Sequence, residues 1–326
     1  MKKIVSVILV IAMTAAMCLG FAGCGSTAKY TIGICQQVEH PALDNATNGF
    51  KDALIAALGE ENIKFMEQNA QGDLPMCTTI AADYVTKKVD LILANATGAL
   101  QACANATAGT TIPVLGTSVT EYGVALGIEN FSGLVGTNVS GTSDLAPLED
   151  QAKMILELYP EAKNVGMIYC SSEANSGYQV QKVTEYLTAQ GITCTDYKFT
   201  DSSDAAAVCA AAAAASDVLF VPTDNTAAAC AEAINAVVLP TGTPIIGGDT
   251  AMCASMGVVT MSIDYYDLGK ATGEMAAKIL KGEAKVSEME IGYAVASKLY
   301  NPTNCKALGM DIEALENAGY TAIAVE

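Results

Sequence analysis

From Tyr30 onward, short apolar runs alternate with longer helix-forming stretches, and this alternation constrains the fold more than any other feature. Tyr30–Cys35, Ile63–Gln68, Leu91–Asn95 and Ile112–Gly116 read as strands, with Pro41–Leu58, Pro75–Lys88 and Ala99–Ala108 as the helices between them. Such an order builds a parallel sheet with helices on both faces, because parallel strands need a helix-length connection. An irregular stretch follows, holding Gly123, Gly127, Gly133, Gly136 and Gly141, and then the pattern restarts. Asp144–Leu158, Tyr178–Gln190, Ala205–Ala215, Ala227–Val238 and Leu268–Leu280 are predicted helices. The strands expected among them are Asn164–Tyr169, Thr195–Phe199, Val218–Val221, Pro244–Gly247 and Val258–Ile263. Two successive doubly wound units predict an α/β protein of two parallel-sheet lobes, first crossed near Thr137–Gly141. Ligands of such sheets sit outside the carboxyl ends of the strands, so two facing lobes define a cleft.

Ahead of this pattern stands a segment of another kind. Lys2 and Lys3 precede an uncharged apolar run, Ile4 to Leu19, which ends in Phe21-Ala22-Gly23-Cys24. Residues 1–23 read as a secretory signal peptide. A cysteine directly after small residues looks like a bacterial lipobox with Cys24 as the lipidated first residue, although Phe21 stands where Leu is usual. Ordinary cleavage and an uncleaved anchor helix are the competing readings. Acyl chains such as palmitate contribute about 0.8 kcal/mol per buried methylene, so the expected protein is extracytoplasmic and lipid-anchored to the cell membrane. No later stretch is long and apolar enough to span a bilayer.

The formal net charge is −18, and it becomes more negative without Lys2 and Lys3. That argues against a nucleic-acid partner, which needs a basic patch. Arg and Trp are absent and there is one His. Arg is the usual fork for a carboxylate, so an acid bound here must be held by Lys, hydroxyls or backbone N–H groups at helix N-termini. The 11 cysteines include no C-x-x-C pair, and no His cluster accompanies them, so no metal or cofactor is expected. Most read as buried free thiols.

The predicted strand ends are polar where the strands are apolar. After the first strand come Gln36-Gln37-Val38-Glu39-His40-Pro41-Ala42-Leu43-Asp44, and after the third Asn95-Ala96-Thr97-Gly98. The fourth is followed by Thr117-Ser118-Val119-Thr120. In the second half the matching loops carry Ser171-Ser172-Glu173-Ala174-Asn175-Ser176, Pro222-Thr223-Asp224-Asn225 and Gly248-Asp249. Helix capping accounts for part of this. Catalytic motifs are missing: no G-x-S-x-G elbow, P-loop or G-x-G-x-x-G follows a strand.

Several of these segments carry a resemblance. They are Ile32-Gly33-Ile34 through Val38-Glu39-His40-Pro41-Ala42-Leu43-Asp44, Gln71-Gly72-Asp73, Asn138-Val139-Ser140-Gly141-Thr142-Ser143-Asp144, Glu173-Ala174-Asn175-Ser176, Val221-Pro222-Thr223-Asp224-Asn225 and Asp264-Tyr265-Tyr266-Asp267-Leu268-Gly269. In this order the chain resembles an ABC-transporter substrate-binding lipoprotein of the tryptophan/tyrosine-binding subfamily. It departs from the common pattern at Asn95-Ala96-Thr97-Gly98, where Ala-Thr-Pro is expected. The resemblance implies a type I periplasmic-binding-protein-like fold with three crossings between lobes. One lobe would hold residues 24–140 plus about 264–290, the other about 141–263 plus 291–326. It also implies a monomer that captures a small solute, often an aromatic amino acid, for a permease and its ATPase.

For an amino acid, the expected partner of the α-amine is Asp249, with Asp224 second. The carboxylate is expected on hydroxyls and N–H groups around Thr97, Ser118 and Thr120. Gln37, Glu39, His40, Asp44, Asn175, Ser176, Thr223 and Asn225 complete the expected polar shell, and Tyr122, Tyr169 or Tyr178 would flank an aromatic side chain. The competing readings are a sugar or nucleoside binder of the same fold, a secreted enzyme, and a sensor ectodomain.

Overall fold

The computed structural model describes residues 28–324, so the expected signal peptide and Cys24 lie outside the described residues. The first half runs β1 (Tyr30–Gln36), α1 (Pro41–Leu58), β2 (Ile63–Asn69), α2 (Leu74–Lys87), β3 (Leu91–Asn95), α3 (Thr97–Thr107), β4 (Val114–Val119), α4 (Tyr122–Leu126) and β5 (Val139–Ser143). The second runs α5 (Leu148–Leu158), β6 (Asn164–Cys170), α6 (Ala174–Ala189), β7 (Thr193–Phe199), α7 (Ser202–Ala213), β8 (Val218–Val221), α8 (Asn225–Ala229), α9 (Ala231–Val238), β9 (Ile245–Gly247), α10 (Thr250–Ser255) and β10 (Val259–Ser262). The chain ends with α11 (Tyr265–Leu280), β11 (Gly292–Tyr293), β12 (Ser297–Tyr300), α12 (Pro302–Ala307), α13 (Ile312–Asn317) and β13 (Thr321–Ala322).

Two sheets result, ordered β11-β5-β4-β3-β1-β2 and β13-β12-β10-β9-β8-β6-β7. This is the doubly wound, type I periplasmic-binding-protein-like architecture. The chain passes between sheets after Ser143, after Ser262 and after Tyr293. β5 and β11 therefore extend the first sheet a few residues past the expected limits at 140 and 290. The first sheet is parallel throughout. In the second, β12 runs antiparallel to β10, a departure from the expected parallel sheet with a topological cause. β10 ends at the crossing side, and the returning chain enters at that same side, so β12 must run away from it.

Each sheet is buried on both faces. In the first, Cys77, Ile80, Tyr84, Leu100 and Cys103 cover one face, while Phe50, Leu54, Ala276 and Ala277 cover the other. α11 returns from the second crossing to lie against α1, and small residues let the backbones approach: a Cβ on Gly269 would meet the Ala46 carbonyl oxygen, and one on Gly49 the Tyr266 carbonyl oxygen. The nine cysteines of the described residues are free, seven of them buried.

Four predicted elements shift in ways that matter for the site. α3 begins at Thr97 and α6 at Ala174, so Thr97, Asn175 and Ser176 belong to first helical turns. The helix expected from Asp144 begins instead at Leu148, with Pro147 as its N-cap. Proline disfavours helical geometry in the residue before it, and this leaves Asp144 in the first crossing. The helix expected over Ala227–Val238 breaks at Cys230, whose φ of −120° and ψ of 21° separate α8 from α9.

Candidate functional site

The facing strand ends bring most of the expected residues together. Gln37, His40, Thr97, Ser118, Thr120, Asn175, Ser176, Asp224, Asn225 and Asp249 are each less than a tenth exposed, and Thr223 is half-buried. Polar loops buried to this degree mean that the two lobes cover one another. His40 Nε2 lies 3.3 Å from Asn225 Oδ1, joining the β1–α1 loop to α8. Asn225 Nδ2 donates to Glu173 at 2.7 Å, which turns its oxygen to the imidazole and makes Nε2 the donor. Burial lowers the His40 pKa, so the ring is neutral at pH 7.

On the first-lobe side the N-termini of α1 and α3 lack a cap from their own N-cap residue, whereas Glu121 caps α4 through Val124 N at 2.6 Å. α1 starts at His40 and α3 at Ala96, and neither residue caps its helix with a side chain. Gln37 Oε1 accepts from Gly98 N at 2.9 Å, in the first turn of α3. Ala96 and Ser118, at the ends of adjacent strands, have φ of 88° and 53°. Such backbone strain gathers at ligand sites. The buried Ser118 Oγ has no partner.

On the second-lobe side carboxylates fill the N-termini of α8 and α10, while α6 has no side-chain cap. Asp224 Oδ1 accepts from Ala227 N at 2.8 Å and Oδ2 from Cys170 N at 2.7 Å. Glu173 accepts from Asn225 N (3.0 Å), Thr226 N (2.8 Å) and Thr226 Oγ1 (2.7 Å), besides the Asn225 and Asn175 amides. Asp249 Oδ1 caps α10 through Met252 N at 2.8 Å. Gly248 allows its loop to reach the β8 loop, since a Cβ there would meet Thr223 N and Pro222. Asn175 Nδ2 and Gln179 Nε2 both donate to Thr223 O at 3.0 Å.

Between the two sides lies Asp144, in the first crossing and 4% exposed. Its Oδ2 accepts from Tyr265 Oη at 2.9 Å, which ties the first crossing to the second. Its buried Oδ1 has no partner. Burial pushes the Asp144 carboxyl up to about 6, partly offset by the Tyr265 bond and by the nearby Thr120 hydroxyl. Burial, with the charge of Asp144, also takes Asp249 to about 6. Burial and then the charge of Glu173 raise Asp224. Among the described residues no salt bridge reaches any of these three aspartates.

Some expected residues lie elsewhere. Glu39 is exposed and Asp44 half-buried, and both line a groove on the first lobe with Gln36, Asn48 and Glu67. Asp44 accepts from Gln36 Nε2 at 2.6 Å there. Tyr122 is buried in the first core, stacked on Phe131 with centroids 6.5 Å apart and bonded to Thr142 O at 3.1 Å. Tyr169 packs in the second core and donates to Asp196 at 3.0 Å. Tyr178 faces an outer groove beside Tyr293 and Pro147. Asp144 and Tyr265 were absent from the expected site. The available signal was Pro147, which forbids a helix running from Asp144.

Two lobes that close over a polar cleft, with buried polar atoms left unpaired inside it, define a small-solute-binding protein. A family model for ABC transporter substrate binding proteins matches residues 31–318, and the chain belongs to that family. Its members bind a substrate outside the cytoplasm rather than transform it. Over 298 residues the chain is 34% identical to the tyrosine-binding protein of Clostridioides difficile strain R20291, covering 90% of this chain and 85% of that protein. It is 30% identical to an ABC domain from Streptococcus pneumonia solved in complex with L-Trp, covering 91% and 100% of the two chains with a TM-score of 0.84. It is 35% identical to a substrate-binding protein with adhesive properties from Clostridium difficile, solved ligand-free and open, with coverage of 91% and 100% and a TM-score of 0.68. The overlay is better with the L-Trp complex although identity runs the other way. Together with the His40–Asn225 contact, this marks the lobes of the present structure as drawn together. Among the described residues no helix is long and apolar enough to cross a membrane.

Proposed function

We propose that this chain is the extracytoplasmic receptor of an ABC importer, held to the membrane through a lipid on Cys24, and that its ligand is an amino-acid zwitterion. Gln37, His40, Thr97, Ser118, Thr120, Asn175, Ser176, Thr223, Asn225 and Asp249 form the proposed shell. The observation that carries this reading is the polarity of the cleft. One wall offers the first turns of α1 and α3, uncapped by their own N-cap residues, and a spare hydroxyl, the other buried carboxylates with no cation. Helix N-termini attract anions, and buried carboxylates need a cationic partner. An α-carboxylate on the first wall and an α-ammonium at the second meet both requirements without Arg. The names of the relatives, tyrosine-binding and L-Trp-bound, favour an aromatic side chain.

Closure is a hinge equilibrium. A ligand that touches both walls only when they meet shifts the population toward the closed state. We assign residues 28–143 and about 264–293 to the first lobe and about 148–262 and 297–324 to the second. A thermal-shift screen of the monomer against amino acids, sugars and nucleosides tests the reading. A ligand at 100 times its Kd stabilises by about 2.7 kcal/mol, so L-tyrosine or L-tryptophan should raise the melting temperature. A response to a sugar or nucleoside alone refutes the zwitterion, and a chemically altered ligand after incubation refutes a binding-only role. Unchanged membrane attachment of a Cys24→Ser chain with an intact mature N-terminus refutes the lipid anchor.

A further inference from the structure

Three buried aspartates are candidate partners for the proposed ammonium group, and they differ in what their oxygens already do. Asp224 has both oxygens occupied by backbone N–H groups, of Ala227 and Cys170. Asp249 spends Oδ1 on the first turn of α10. Asp144 caps nothing. One oxygen accepts from Tyr265 Oη and the other is buried without a partner.

We infer that Asp144 is the residue that receives the ligand's primary ammonium group, with Tyr265 as the positioning residue that aims its carboxylate. The inference rests on the zwitterion reading above and deepens it. Oδ1 has no hydrogen-bond partner, and the charge of Asp144 lies close enough to Asp249 to raise the latter's protonation. A neutral hydroxyl would satisfy Oδ1 but leave two buried like charges unrelieved. An ammonium supplies three donors and the missing positive charge. The position also links recognition to motion. Asp144 stands in the first crossing and Tyr265 opens α11 directly after the second, so an ammonium on Oδ1 joins a carboxylate that already ties the two hinge segments.

The test pairs two ligands with two variants. L-Tyrosine and its des-amino analogue, 3-(4-hydroxyphenyl)propanoate, are titrated by calorimetry into wild type, Asp144→Asn and Asp249→Asn. Wild type should prefer L-tyrosine, because the analogue leaves the carboxylate buried and unpaired. Asp144→Asn should weaken L-tyrosine by about 30-fold or more, the usual range for removing one partner of a buried charge pair. The same change should strengthen the analogue, so the preference collapses. Asparagine keeps the acceptor for Tyr265 Oη and removes an unpaired charge, so unliganded Asp144→Asn should melt no lower than wild type. A structural role predicts a lower melting temperature and an unchanged ratio between the ligands. If Asp144→Asn keeps the preference while Asp249→Asn loses it, the inference is overturned and the ammonium belongs to Asp249. If wild type binds no amino acid in the screen, the zwitterion reading itself has failed, which is a separate result from a preference that survives at residue 144.

Discussion

The two walls of the cleft are built from the same unit, a parallel strand feeding a helix, yet they solve the helix N-terminus differently. In the first lobe α1 and α3 begin at His40 and Ala96 with no side-chain cap. In the second, α8 and α10 begin at Asp224 and Asp249, each accepting a backbone N–H of its own first turn. Capping is worth about 1 kcal/mol per helix, so ends left uncapped by their own N-cap residue are a cost, offset at α3 by the Gln37 side chain on Gly98 N. The contrast teaches that an element's stability and its availability to a ligand oppose one another. A group already paired within the protein holds the fold, and an idle one waits for a partner.

The largest effect should fall on the most heavily paired group. Glu173 accepts from both Asn225 and Thr226 backbone N–H groups and three side-chain donors. Glu173→Ala strands these donors in the closed cleft, and charged hydrogen bonds are worth about 1.5–3 kcal/mol. Denaturant unfolding should show a loss of about 3 kcal/mol or more. A loss below 1 kcal/mol would break the division into paired and idle groups.

Protonation gives the next effect, with opposite signs for folding and binding. Asp144 has its folded pKa raised to about 6 from 3.8. The folded state therefore holds more protons between these values than the unfolded one, and stability falls as pH rises through that window. Asp249, Tyr265 and Tyr122 are the titratable groups that feel its charge, and Asp249 moves the same way. Relative to Asp144→Asn, unliganded wild type should lose roughly 1–3 kcal/mol between about pH 4 and pH 7, from about 1.4 kcal/mol per pKa unit. Affinity for an ammonium ligand should do the reverse, falling as pH drops through about 6 while Asp144 gains its proton. Parallel pH curves for wild type and variant would remove Asp144 from the comparison.

How far the sequence reveals all this depends on what each position answers to. α1, β3 and β8 fall where the sequence predicts them, because Pro41 marks a helix start and the strands are unbroken apolar runs. The two-wall plan is legible for the same reason, since polar loops follow apolar strands. The idle carboxylate is not. Asp144 precedes a run that looks helical, and only the geometry around Pro147 separates it. Capping and ligand binding also select the same residue types, so Asp224 and Asp144 look alike in a sequence and differ only in which oxygens are taken. Tyr122 fails likewise, because a tyrosine beside a polar loop gives no sign of which way its ring turns. β12 depends on pairing with β10, left behind two crossings earlier, and β13 on pairing with β12 in turn, which no local pattern carries.

On the first wall, Ser118→Ala tests the idle hydroxyl. Its Oγ is buried without a partner, so removing it should leave unliganded stability equal or higher. If it donates to a carboxylate, affinity should fall about 10-fold, the lower end for a hydrogen bond to a charged group. Lower stability with unchanged affinity would place it among the paired groups instead.

The smallest effect separates strain from recognition. Ala96 has φ 88° and ψ 162°, a region a side chain rarely occupies, and such strain costs on the order of 1–3 kcal/mol. Glycine enters it freely but loses up to about 1 kcal/mol through the flexibility it adds to the unfolded chain. Ala96→Gly should therefore stabilise by about 1 kcal/mol. Its effect on binding decides what the strain is for. The Ala96 N–H is already bonded to Thr117 O at 3.0 Å, and the helix beyond it offers its dipole whichever residue stands there. If the bent backbone alone aims the first turn of α3 at the ligand, Ala96→Gly leaves the calorimetric Kd within about twofold, since the native contacts hold the conformation. If the alanine methyl confines that turn before the ligand arrives, the variant binds more weakly although it folds more firmly, and the first wall then owes its availability to rigidity as well as to the missing cap.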